Sequence, residues 1–405
     1  MIQVRVVPVV LLLLATASAA CSQRAGAQCT PLETRSPNGT EQRPAFAGQT
    51  RACGAMSHVP LNVTVVATGL SKPWSVEPLP SGDFLVTEKP GHLRIVSRSG
   101  VIGEPIAGLP TVDARGQGGL LDVALSPTFA SDRTIYWSFT EPREGGNGTS
   151  IARGTLSPDR KSLNDVRVIF RVLPTYANNM HFGSRLAFGP DGMLYATFGE
   201  RSDRATRPYA QRLDSHLGKI VRIRPDGSVP PDNPFVGRAD AKPEIWSLGH
   251  RNIQAAAFDA DGQLWEIEHG TNGGDELNRI EKGRNYGWAD VGYGVEYSRQ
   301  PLPGPTAKAG TEQPVYYWDP VIAPSGAQFY TGDAFPAWKN SLFIGALKER
   351  RLVRLTLDKG RVMGEEHLLV DRGHRIRDVR QGPDGALYVV TDDQNGELWR
   401  IAPKR

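Results

Sequence analysis

The chain has little cysteine, little net charge and almost no long apolar run, and each shortage removes a class of protein. Three cysteines, Cys21, Cys29 and Cys53, occur in 405 residues. None belongs to a Cys-x-x-Cys pair, which excludes thiolate zinc sites and dithiol redox motifs of that spacing. A net charge of +4 is too small to imply nucleic acid by itself. The one apolar run, Val6 to Leu14, is too short to span a bilayer as a mature helix. No segment sustains a 3.6-residue apolar period with caps, so helical content should be very low.

The short apolar run reads instead as an export signal. Arg5 precedes it, and "ATASAAC", ending at Cys21, offers small residues for cleavage. Residues 1–21 are therefore read as a signal peptide directing the chain to a bacterial periplasm. The odd cysteine count has two solutions. Cys21 becomes the lipidated first residue of an outer-membrane or cell-surface lipoprotein, leaving Cys29 and Cys53 to pair; or cleavage falls near Ala20 and one thiol is left over. Ser18 stands where a lipobox usually has Leu. Residues 22–58 are polar and poorly periodic and read as a flexible tether or a pro-segment, with one domain over 59–405.

Turn chemistry is abundant: 44 Gly and 31 Pro suit a turn-rich β protein. Similar units recur: "EPLPSGDFLVTEKPGHLRIV" from Glu77, "LSPTFASDRTIYWSFTE" from Leu125, "FGPDGMLYATFGE" from Phe188, "FDADGQLWEIEHG" from Phe258, "FYTGDAFPAWKNSLFIGAL" from Phe329 and "QGPDGALYVVTDD" from Gln381. Each is a strand, a turn and a second strand, as where Leu186 and Phe188 lead through Pro190-Asp191-Gly192 to Leu194, Tyr195 and Thr197. Six such units predict an all-β, six-bladed propeller of four-stranded antiparallel sheets. Two sandwiches or a seven-bladed ring are the alternatives.

Polar residues recur just before or after the inner strands: Gln117, His181, His250-Arg251-Asn252, Lys348, and Arg375 with Arg377. Singly, each has an ordinary explanation as a rim arginine or a hydrogen-bonded loop histidine. Arg375 and Arg377 flank one isoleucine and so share a strand face. Recurrence around a ring is what carries weight. Such a ring of cations calls for a planar, multiply anionic small molecule with an imidazole beside it. "EHGTNGGDELNRIEKGRNYGW", from Glu268, combines acids and glycines in a compact loop. That suits Ca²⁺, and it equally suits an ordinary Gly-rich loop capped by Asp275. It is not an EF-hand, because the alternating Asp/Asn ligands and closing Glu are absent.

"GQGGLLDVALSP", "HFGSRLAFGPDG", "EIWSLGHRN", "EHGTNGGDELN", "KGRNYGW", "GTEQPVYYWDP", "FIGALK" and "RIRDVRQGPDGALYVVTD" together resemble the soluble aldose sugar dehydrogenases dependent on pyrroloquinoline quinone (PQQ), and more loosely soluble glucose dehydrogenase. The likeness runs from about Leu61 to Ile401 and implies a six-bladed propeller. It implies His181 as catalytic base, taking the sugar's anomeric hydroxyl proton while hydride leaves C1 for the quinone, with Arg251 stabilising developing charge. It implies cofactor contacts at Gln117, Arg251, Asn252, Tyr297, Ala346, Leu347, Lys348, Arg375, Ile376 and Arg377. One Ca²⁺ would take the carbonyls of Gly270 and Thr271, and a second Glu276 with the carbonyl of Tyr286. Product would be the aldonolactone, with electrons passed to an external acceptor. Thr271 and Ile253 stand where relatives commonly have Pro. Met180 replaces an Asp that touches substrate in glucose dehydrogenases, which implies a broader aldose range. The competing expectations are a Ca²⁺-dependent propeller lactonase and a non-enzymatic exported binding module.

Overall fold

A computed structural model describes residues 29–404. Residues 1–21, read from sequence as a signal peptide ending at Cys21, lie outside the described residues. Among those residues the regular secondary structure is almost entirely strand; the helices are one four-residue α-helix, Phe129–Asp132, and three short 3₁₀ turns. None is long and apolar enough to cross a membrane.

Six antiparallel sheets form a six-bladed propeller. The innermost strands, in chain order, are Pro73–Pro78, Leu120–Leu125, Leu186–Phe188, Ile253–Phe258, Pro324–Phe329 and Ile376–Gln381. Asp-Gly turns make the inner hairpins tight. In the hairpin turning at Pro190-Asp191-Gly192, Leu194 pairs with Phe188, Asp191 Oδ1 accepts the Met193 N–H at 3.0 Å, and Gly192 takes φ 74°, which a side chain would oppose. Apolar residues of facing blades then pack sheet against sheet, as where Trp265, Ile267 and Leu277 of the fourth blade meet Phe329, Leu342 and Ile344 of the fifth.

The last blade is built from both chain ends. Leu61–Leu70 lies beside Gly396–Pro403, with Val63 opposite Ile401. This pairing ties the first strand of the propeller to the last and closes the ring, with Leu61–Leu70 as the outer strand of the blade. Five blades have four strands and the first has three. Its fourth position is filled by an irregular segment in which Gly103 N–H bonds Ile95 O and Ile106 N–H bonds Leu93 O, both at 2.8 Å. Pro105 lies between them and has no N–H to extend a ladder.

Residues 29–58 correct the expectation of a flexible tether. Cys29 and Cys53 form a disulfide, and the segment packs along the outer strands of the fourth and fifth blades. Ala55 N–H bonds Glu365 O at 2.8 Å and Tyr317 N–H bonds Gln49 O at 2.8 Å. Asn38 and Gly39 donate backbone N–H groups to Asp319. The polar composition that suggested disorder is used in specific hydrogen bonds.

The axis is polar and closed. Arg185, 1% exposed, donates to Asp122 at 2.7 Å and sits 3.2 Å from Asp378. Ser75 bonds both carboxylates. A Cβ on Gly326 would lie 1.8 Å from Asp378 Oδ1, so glycine is required for the inner strand of the fifth blade to approach this network. The network forms the floor beneath one end of the ring.

Candidate active site

At that end lies a cavity of about 340 Å³. Antiparallel pairing explains its lining: the residue entering an inner strand and the residue leaving the next strand emerge at the same end. Entering residues are Lys72, Gln117, Gly183, Asn252, Ala323 and Arg375; leaving residues are Lys89, His269, Leu347 and Asp392. Trp74, Gln254 and Arg377 lie one step deeper on inner strands.

The cavity is electropositive. Lys72, Lys89, Arg375 and Arg377 set four positive charges against the single carboxylate of Asp392, a surplus of three. Arg375 bonds Asp392 Oδ2 at 2.8 and 2.6 Å, and Arg377 bonds Oδ1 at 3.1 Å. Burial opposes the Asp392 charge, but Arg377 and Arg375 outweigh it and hold the carboxyl below its usual range. Burial, with Lys72 and Arg377 nearby, lowers the Lys89 ammonium. His269 is pushed down to about 3 by burial and neighbouring cations despite its contact with Pro324 O, so it adds no charge near neutrality.

Beside this cavity stands His181, 3% exposed, in a left-handed conformation at φ 47°. Several groups hold that turn. Gln117 Oε1 accepts the His181 N–H at 2.8 Å, Asn178 Oδ1 accepts the Met180 N–H at 2.7 Å, and Arg201 donates to Met180 O at 3.0 Å. The Arg201 guanidinium also lies 4.1 Å over the Phe182 ring. His181 Nδ1 is 2.7 Å from Glu200 Oε1. Burial first, then Arg251, Arg201 and Arg207, push the imidazole well below its ordinary range. Burial pushes Glu200 up to about 7, against the pull of Arg251 and Arg207.

Arg251 reaches His269 O at 3.0 Å and Tyr297 Oη at 3.3 Å, and packs 5.3 Å over Trp288. Its Nε and the Nδ2 of Asn252 are buried donors without a partner. A buried donor left unpaired costs about 1–3 kcal/mol. Both fit an anionic ligand, as does the surplus of three charges.

Arg251, Glu268, His269, Gly270, Gly274, Glu276 and Tyr286 help line a second, small cavity of about 20 Å³, large enough for one ion or water. Ligand atoms of His250, Glu266 and Glu268 lie within 4.8 Å of one another. Asn278 Nδ2 bridges Glu266 at 2.8 Å and Glu276 at 3.3 Å. Glu266 Oε2, Asn278 Oδ1 and Thr271 Oγ1 are buried without partners. Burial and mutual repulsion push Glu276 well above its usual range and Glu266 to about 7. Crowded, buried, unpaired oxygens fit a divalent cation bound by carboxylates and carbonyls.

The sequence-derived site is brought together only in part. Gln117, Asn252, Leu347, Arg375 and Arg377 line the main cavity. Arg251, Gly270, Glu276 and Tyr286 line the small one. Ala346 and Ile376 are buried on strands, and Thr271 is buried beside Gly270. Tyr297 is 66% exposed at the rim. Lys348 is exposed, does not line the cavity, and donates only its backbone N–H, to Ile322 O. The lysines of the ring are instead Lys72 and Lys89, and the two arginines share Asp392 rather than standing free. Lys89, His269, Leu347 and Asp392 each directly follow the second strand of a blade. That register, applied to every repeat, was the available signal for the ones that were missed.

Comparison with known proteins places the fold among sugar dehydrogenases. The family model described as Glucose / Sorbosone dehydrogenase matches residues 70–400. The chain is 43% identical over 349 residues to the aldose sugar dehydrogenase YliI of Escherichia coli (strain K12), covering 85% of this chain and 93% of that protein. It superposes with a TM-score of 0.83 on a crystal structure of a glucose dehydrogenase, at 48% identity, covering 85% of this chain and all of that one (100%). A PQQ-bound aldose sugar dehydrogenase from Streptomyces coelicolor matches with a TM-score of 0.68 and 30% identity over 85% of this chain and 99% of that one.

Proposed function

Because the chain belongs to the glucose/sorbosone dehydrogenase family and is a sugar dehydrogenase, we propose that it oxidises aldoses at C1 to aldonolactones with PQQ and Ca²⁺ as resident cofactors. The observation that carries this reading is the surplus of three positive charges in a cavity beside His181. PQQ is planar and bears three carboxylates, and when bound it supplies the hydride acceptor. Lys72, Lys89, Arg375 and Arg377 would hold the carboxylates, and Asn252 Nδ2 offers a free donor. The carbonyls of Gly270 and Thr271 would hold one Ca²⁺, and Glu276 with the carbonyl of Tyr286 a second.

The chain's own part is proton transfer. With Glu200 ionised, Nδ1–H donates to it and Nε2 keeps its lone pair for the anomeric hydroxyl. Burial and the three arginines keep the imidazole neutral, and the Glu200 carboxylate steadies it once it takes the proton. Turnover also needs an external electron acceptor. The Cys29–Cys53 disulfide fits an exported protein; a periplasmic location and lipidation at Cys21 are part of the proposal.

The same pair sets the pH dependence. With Glu200 protonated, its O–H donates to Nδ1 and the ring proton moves to Nε2, leaving no lone pair there. kcat/KM should therefore rise as pH climbs through the Glu200 value of about 7. Glu200→Gln should lower the plateau and flatten that limb; an unaltered limb would mean another group titrates. Arg377→Ala should weaken PQQ binding about 10- to 100-fold, the equivalent of one charge-assisted hydrogen bond at about 1.5–3 kcal/mol. Titration of PQQ into the apoprotein reads this, and wild-type affinity would refute the grip. The overall activity is tested by adding PQQ, Ca²⁺, an aldose and an artificial dye to apoprotein. Dye reduction is expected, and its absence over a panel of aldoses would overturn the reading.

A further inference from the structure

The N-terminal segment 29–58 precedes the residues matched by the family model, yet it grips the loop that rims the site. Gly39 leaves room for the Gln42 side chain, since a Cβ there would lie 2.2 Å from Gln42 Oε1. The Gln42 amide then brackets one residue of the rim loop, Gly294, gripping the two successive peptide units that meet at its Cα. Its Nε2 donates to Gly294 O at 2.9 Å, and its Oε1 accepts the Gly294 N–H at 2.7 Å. Gly294 cannot carry a side chain: it has φ 84°, and a Cβ would meet Gly273 O at 2.4 Å. The next residue, Val295, exchanges backbone hydrogen bonds with Asn272 at 3.0 and 3.1 Å. Beyond it, Glu296 pairs with Arg207 and Tyr297 Oη accepts from Arg251. Both arginines are among the cations that depress His181.

We propose that Gln42 is a positioning residue of the substrate rim: through Gly294 it fixes Glu296 and Tyr297, and with them Arg207 and Arg251, around the sugar. The substrate half of this statement rests on the aldose dehydrogenase reading. Anchoring is by two hydrogen bonds on one residue, one to each peptide unit flanking the Gly294 Cα, which set both the height and the tilt of the loop. Asp319 secures the strap on the other side, accepting from Asn38 and Gly39.

The test compares the full-length protein with Gln42→Ala and Gln42→Glu. The second keeps the acceptor for Gly294 N–H but turns a carboxylate oxygen on Gly294 O. In cofactor-free protein, hydrogen exchange at Asn272 and Val295 should quicken about tenfold or more in both variants, while Ile267 and Leu277 in the blade stay unchanged. In reconstituted enzyme, KM for the aldose should rise about 3- to 10-fold with kcat within about twofold, the sign of lost ground-state positioning. Unchanged exchange at Asn272 and Val295 would overturn the anchoring. Faster exchange with unchanged KM would overturn the role at the rim. If wild-type protein oxidises no aldose, the functional reading fails, and the exchange measurement still decides whether Gln42 holds the loop.

Discussion

His181→Gln and His181→Asn are expected to bind PQQ normally and to lose most of kcat, about 10²–10⁴-fold, the usual loss when a general base is removed. The imidazole stands beside the cationic cavity rather than among its lining residues, so the cofactor's grip should survive. Asn is the informative variant for folding, because position 181 takes φ 47° and Asn tolerates the left-handed region better than most residues. Gln117, Asn178 and Arg201 hold the turn through backbone groups and do not need the ring. Steady-state kinetics on PQQ-reconstituted variants at saturating aldose decide the matter. A kcat within about threefold of wild type would leave His181 as a buried loop residue.

Removal of the metal should abolish activity, and Ca²⁺ should restore it better than Mg²⁺. Glu266, Glu268 and Glu276 are buried together. His250, lowered by burial but raised to about 9 by Glu266 and Glu268, Asn278 and the backbone N–H groups of Arg251 and Asn252 answer part of that charge, and Glu266 Oε2 is unpartnered. Buried carboxylates in that arrangement repel one another and are stabilised by a divalent ion. Carbonyl-rich, irregular ligation suits the flexible sphere of Ca²⁺, whereas Mg²⁺ demands near-ideal octahedral geometry. Chelated protein should also melt at a lower temperature, with Ca²⁺ reversing the loss by mass action. Full activity after chelation, with no metal left by elemental analysis, would count against both the site and its role. The main cavity separates the dehydrogenase from a propeller lactonase: its one carboxylate, Asp392, is committed to Arg375 and Arg377, which leaves no acidic axial metal cage there.

Much of this was legible from residues alone. Asp-Gly turns between alternating apolar strands, as at Pro190-Asp191-Gly192, are local signals, so the count of blades could be read directly. The motifs around His181, Arg251-Asn252 and Arg375/Arg377 marked the site's end of the ring, because residues entering inner strands share one register. The strap was misread because polarity and poor periodicity describe both a loose segment and one held by specific hydrogen bonds; only its partners, Asp319, Gly294 and Glu365, distinguish the two.

The sequence by itself determined the repeat, the class of fold and the type of chemistry, since hairpin periodicity and residue type act over a few neighbours. Tertiary structure alone decided which charges meet. Lys72 and Lys89 replace Lys348 in the ring, Asp392 ties the two arginines, and Glu200 takes His181 Nδ1. Those pairings join residues flanking different strands, and the lysines meet the arginines across two blades; Coulomb energy and desolvation depend on distance and burial in space, neither of which is written along the chain.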